Sequence, residues 1–174
     1  MESKPEPEYW LRGPLEEVPL LLNPVVAVFY QVISELEELL LDFPENKLWE
    51  KPLGMASVGF HLNHLTGVVD RLFTYARKES LSPEQMDFLR QEEIPQEISS
   101  QELLQKFRNQ VKLALSQLKS CSEKELNQAR AVGRLGLPTT LMGLYFHAAE
   151  HSSRHLGQLI LTITLMKQES IRKY

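Results

Sequence analysis

From Asn23 onward, the apolar residues Val25, Val28, Phe29, Val32, Ile33, Leu36, Leu39 and Leu40 recur at steps of three and four. On an α-helix this spacing gathers them into one wide stripe, which has to be buried against another element. Asn23 followed by Pro24 is a start signal, a side-chain acceptor at the N-cap and a preset φ at the first helical position. The first helix is expected to run to about Asp42. The second is expected from about Ser57 to Arg77, and the third from Ser99 to about Ser120. Ser99 with Glu102 forms a capping box there, and Leu103, Leu104, Phe107, Val111, Leu115 and Leu118 make the stripe. Ser82, Pro83 and Gln85 open a short intervening helix to about Gln91, closed off by Pro95. A glycine-bearing run, AVGRLGLP, leads through Pro138 and a Thr139 cap into a last helix reaching about Lys167.

Four long amphipathic helices without a convincing alternating strand predict an all-α chain folded as a four-helix bundle. About twenty residues separate the second and third helices, enough for a long crossover, so those two need not be antiparallel neighbours. Residues 1–22 carry Pro5, Pro7, Pro14 and Pro19 without a sustained period and are expected as an arm packed on the domain. Residues 23–168 then form the bundle and 169–174 a C-terminal tail.

A length of 174 residues suits one domain with a core that needs no staples. The formal charge of −4 leaves no basic footprint, so a nucleic-acid partner is not expected. Cys121, the single cysteine, can form no internal disulfide, which fits a reducing compartment. The acidic start MESKPEPEYW is not a secretory leader, and no later apolar run reads as long enough to span a bilayer. A cytoplasmic protein without a membrane partner is the expectation.

All five histidines fall in two short stretches, His61 and His64 in GFHLNHL and His147, His151 and His155 in FHAAEHSSRHLGQL. At about 100° per residue, the last three lie within roughly 80° on one face of the final helix, beside Leu144, Ala148, Leu159 and Ile163. His64 shares its face with Ser57, Phe60, His61 and Val68. Two helices can therefore aim imidazoles at each other across the roughly 8–10 Å between neighbouring axes, a span that a metal bound at about 2.0–2.1 Å per nitrogen can bridge. A lone buried histidine is commonly just a satisfied core residue. A His-x-x-x-His pair facing a third histidine on a second helix favours a metal instead. His61 and His147 read as flanking groups that support the ligands. Trp49, Tyr145 and Phe146 are expected as core or pocket wall, and Cys121 as incidental. The glutamate and Glu-x-x-His pattern of a di-iron bundle is absent, as is HExxH, which leaves one mononuclear nitrogen-rich site.

SVGFHLNHL, followed some ninety residues later by HSSRHLGQL, resembles the DinB-like superfamily of bacterial four-helix-bundle metalloproteins. In that pattern a histidine follows a helix-opening serine by seven residues, and a late His-x-x-x-His is followed by x-Gly-Gln. Ser57 to His64 and His151, His155, Gly157 and Gln158 match it position by position. RGPLEEVPLLLNPV, LWEKP and the glycine-bearing run extend the resemblance over nearly the whole chain. It implies His64, His151 and His155 as the metal triad, zinc or nickel as the metal, and often a homodimer. Some relatives are thiol-dependent, including bacillithiol S-transferases and mycothiol-dependent maleylpyruvate isomerases, while many have no assigned reaction.

Three neutral imidazoles leave a dication's charge uncompensated, so a water or thiol in the open position loses its proton near neutral pH and can attack an electrophile. His61, His147 and Gln158 are the candidates for proton handling and substrate orientation. Arg154 points about 100° away from its neighbour His155 and reads as a surface or dimer-face cation. Three classes stay open on the residues alone. One is a metal-dependent transferase or hydrolase acting on a small electrophile, with a low-molecular-weight thiol as cosubstrate. The others are a metal-binding stress-response bundle without turnover and a helical interaction module without metal.

Overall fold

The computed structural model describes residues 6–14 and 17–172, with side chains to residue 167. The remainder of the expected 1–22 arm and of the 169–174 tail lies outside the described residues. Helix α1 spans Asn23–Leu39, α2 Val58–Ala76, α3 Pro83–Gln91, α4 Ser100–Lys119 and α5 Leu141–Arg172. The Ser57 hydroxyl accepts from the backbone N–H of Phe60 at 3.1 Å, and Ser82 with Gln85 and Ser99 with Glu102 form reciprocal capping boxes. These starts follow from local chemistry, because the acceptor lies three residues from the orphan N–H that it satisfies.

Three expectations are corrected. Asn23 is the first helical residue rather than the N-cap, because a 3-10 turn over Leu20–Leu22 feeds straight into α1. Its amide Nδ2 donates back to the carbonyls of Val18 and Pro19. The glycine-bearing run is a β-hairpin, in which β1 (Ala129–Val132) pairs antiparallel with β2 (Leu137–Thr140), Ala129 opposite Thr140 and Val132 opposite Leu137. Gly133 and Gly136, at φ 66° and 59°, take the left-handed conformations that the connecting turn requires. Pro138 and Thr139 are therefore strand residues, and it is Thr140 whose hydroxyl accepts from Gly143 N at the start of α5. Among the described residues one apolar helical stretch, Leu20–Leu39, is long enough by length and composition to cross a membrane. Its residues Leu22, Val25, Val26, Phe29, Val32 and Leu36 are buried in the bundle core, which accounts for its hydropathy.

Contacts at the helix ends give the directions. Gln101 at the start of α4 donates to the Leu40 carbonyl at the end of α1, and Arg108 pairs with Glu37, so α1 and α4 run antiparallel. Trp49, packed on Gly59 at the start of α2, donates its indole N–H to the Gln96 carbonyl shortly before α4, while Gln117 near the end of α4 donates to the Phe73 carbonyl near the end of α2. Helices α2 and α4 are therefore parallel neighbours, joined by a long crossover through α3. Tyr145 at the start of α5 packs 5.0 Å from Phe73, which sets α5 antiparallel to α2. Phe29, Phe73 and Phe107 centre the core, with Leu62, Leu65, Leu103, Leu104 and Leu159 around them. Helix α5 continues past Lys167. Tyr145 is buried, Trp49 lies on α2 at Gly59, and Phe146 is 62% exposed, a surface residue rather than core.

Candidate metal centre

Helices α2 and α5 meet at the histidines. His64 Nε2 lies 3.0 Å from His151 Nε2, and the His155 ring centroid is 4.4 Å from that of His64 and 4.5 Å from that of His151. Each of the three offers a ring nitrogen within 4.8 Å of the other two, and the group could hold a metal ion. His61, 3% exposed, sits behind them with its Nδ1 3.0 Å from Nδ1 of His155. Phe60 stacks on the His64 ring at 5.2 Å and 19°, shielding one face.

The donor chemistry fits a divalent transition metal. Metal–imidazole bonds of about 2.0–2.1 Å place neighbouring ligand nitrogens roughly 2.9–3.3 Å apart, the range in which the His64 and His151 nitrogens stand. Burial first, and the adjacent His64 second, pull the pKa of His151 from 6.5 to about 4 and that of His155 to about 3. Both rings are therefore uncharged at neutral pH, each with one nitrogen unprotonated. Burial likewise lowers His61 to about 4. Imidazole donors suit zinc, copper, iron and nickel, and nothing in the donor set selects among them.

Glu92, at the end of α3, is a site residue that sequence reasoning missed. It is 3% exposed, and its Oε2 accepts from His64 Nδ1 at 2.7 Å while Oε1 accepts from Arg71 Nη1 at 2.7 Å. Burial would raise its pKa, but the hydrogen bonds from His64 and Arg71 outweigh that and hold it below the usual carboxylate value. Asn63 Nδ2 reaches the Glu92 carbonyl at 3.4 Å. Gly67 provides the room, since a Cβ there would stand 2.4 Å from Glu92 Oε1 and 2.5 Å from Arg71 Nη1. The only sequence signal for this carboxylate was its place in QEEIPQE, among other glutamates.

The remaining candidates are dispersed around this centre. Gln158 is exposed and lines, with His61, a cavity of about 270 Å³. His147 lies one turn along α5 with its side chain 48% exposed, its ring 5.3 Å from His151 and its Nδ1 3.4 Å from Glu150 Oε2. His147, Glu150 and His151 form a second, more exposed group of possible ligands. Arg154 is exposed and paired with Glu150. Burial raises the Cys121 thiol pKa, which leaves it a poor nucleophile.

A helical bundle with an up-down-down-up course and three histidines converging from two antiparallel helices defines the class. Comparison with known families matches residues 29–159 to the DinB superfamily, and the chain belongs to that family. The matched region contains His64, His151 and His155. No curated protein matches the chain.

Proposed function

We propose that His64, His151 and His155 hold one divalent transition metal, zinc or nickel, and that the protein is a metal-dependent enzyme of the thiol S-transferase or hydrolase type acting on a small electrophile. The observation that carries this reading is the convergence of three imidazole nitrogens from two helices, each within 4.8 Å of the others. Three protein ligands leave a position for a further donor, and a bound dication supplies the Lewis acidity that lowers the pKa of a thiol or water beside it.

The chain's own residues do the rest. His61 engages His155 through Nδ1, which leaves Nε2 as the nitrogen available for a proton at the cavity it lines. Met55, Ala56, Gln158, Leu161 and Thr162 complete that cavity, and none carries a formal charge, which suits a small uncharged substrate. Gln158 offers an amide for orienting it. His147, exposed at the outer end of the row, serves as a proton acceptor toward solvent.

We place the protein in the cytoplasm as a homodimer without nucleic-acid or membrane partners, with a low-molecular-weight thiol as its cosubstrate. The single cysteine supports a reducing compartment, and the net charge of −4 supports the absence of a nucleic-acid partner. Exposed Phe146, in a groove with Val25, Val28 and Ala149, supports self-association.

Elemental analysis of the purified chain and of His151→Ala tests the first step. About one equivalent of zinc or nickel is expected, and it should be lost in the variant. Protein without bound transition metal, together with an unaltered variant, sinks the metal reading. Metal without thiol-dependent consumption of electrophiles such as chlorodinitrobenzene or of simple esters reduces the protein to a binding bundle without turnover.

A further inference from the structure

A histidine ligand presents its lone pair only if its other nitrogen holds the proton, and the partner of that other nitrogen decides the tautomer. Among the three convergent histidines, His64 has its Nδ1 against a buried carboxylate. Glu92 Oε1 accepts from the Arg71 guanidinium at 2.7 Å, and a carboxylate paired in this way only accepts, so the 2.7 Å contact of its Oε2 places the proton on His64 Nδ1 and leaves Nε2 as a lone pair facing His151. Glu92 is itself held from the opposite side by Arg71, and both side chains are nearly sealed from solvent. The pocket leaves room for this arrangement, because α2 carries a glycine, Gly67, where a Cβ would stand 2.4 Å from Glu92 Oε1. The neighbouring Glu93 is exposed and paired with Lys51 at 3.3 Å, so it does not compete for the place.

We infer that Glu92 is a positioning residue for the metal centre. Held by Arg71 and admitted by Gly67, it fixes the tautomer and ring orientation of His64 and raises the donor strength of its Nε2. The crossover between α2 and α4 is thereby part of the site, since it supplies this carboxylate from the residue that follows α3. The inference rests on the reading of His64 as a ligand, but its structural half concerns the proton on His64 alone.

Two measurements on the full chain test it. In metal-free protein labelled with ¹⁵N-histidine, His64 is expected as the Nδ1–H tautomer. That preference should disappear in the double variant Arg71→Met/Glu92→Met, which replaces the buried pair by apolar chains of similar length and so leaves no unpaired charge. Titration with zinc against a chromophoric chelator should show affinity reduced about 10- to 100-fold in the double variant. Glu92→Gln, which keeps an acceptor oxygen but not the charge, should fall between. Circular dichroism of the double variant separates loss of positioning from loss of fold. If it does not fold, the tautomer in wild type and the zinc affinity of Glu92→Gln decide. An Nε2–H tautomer in wild type overturns the inference, as does zinc affinity within about twofold of wild type in a folded double variant or in Glu92→Gln. If wild type binds no zinc, the metal reading fails, and the tautomer measurement still judges the role of Glu92.

Discussion

The imidazoles of His61, His151 and His155 are held neutral at pH 7 by burial and by their neighbour His64, and this has a measurable consequence for metal-free protein. Their folded pKa values of about 4, 4 and 3 lie below the ordinary 6.5, so between these limits the unfolded chain binds more protons than the native one. Stability is therefore present in full above pH 6.5 and falls as pH drops toward 4. Glu92 adds a loss in the same direction, but in a window below 4.5. Urea midpoints in the presence of a chelator should decline from pH 6.5 downward, and His151→Asn/His155→Asn should flatten that slope. An equal slope in the variant would contradict the assignment. A second prediction concerns Thr162, which is fully buried with no hydrogen-bond partner for its hydroxyl, whereas Thr66, Thr74 and Thr164 each donate to the carbonyl four residues back. Thr162→Val removes an unsatisfied polar group at nearly constant volume and should stabilise the fold by about 1 kcal/mol in chemical denaturation. At this scale the sequence displayed the histidines but not Glu92. Two adjacent glutamates, Glu92 and Glu93, look alike in the chain, and only packing buries one at 3% exposure and leaves the other in solvent.

Among the elements, the helices whose starts rest on contacts spanning three residues were readable. Ser57, Ser82 and Ser99 cap as their spacing to Phe60, Gln85 and Glu102 requires. The hairpin was not readable, because four-residue strands with half or more of their residues exposed give too short an alternation to compete with the helical signals on either side. Helix α2 carries a conflict between local and tertiary demands at Gly67. Alanine there would improve helix propensity by about 0.8–1 kcal/mol. Its Cβ would also stand within 2.8 Å of Phe88 as well as against Glu92 and Arg71. Because those side chains are packed and paired, we expect Gly67→Ala to gain no thermal stability and to weaken zinc binding. A variant that is both more stable and of unchanged affinity would show that the glycine serves only the helix.

For the whole molecule, a metal joining His64 to His151 and His155 would tie α2 to α5, two elements 87 residues apart at their closest ligands. Binding to the native state alone stabilises by about 2.7 kcal/mol when the free metal is 100-fold above Kd. At roughly 2–4 °C per kcal/mol for a chain of this size, chelation should lower Tm by about 5–10 °C. His151→Ala should show no such difference with and without chelator. Calorimetry reads both, and an equal Tm in wild type with and without chelator would count against a structural link. The chain by itself determined the helices, the caps of α2, α3 and α4 and the inward faces of His64, His151 and His155, because propensity, capping and periodicity act over one or two turns. The tertiary structure alone decided that α2 and α4 run parallel, that the run before α5 folds into a hairpin, that His147 stays at the surface, and that Glu92 reaches His64. Those outcomes depend on which distant segments pack together, and the stretch between His64 and Glu92, 28 positions apart, carries no local signal that they will meet.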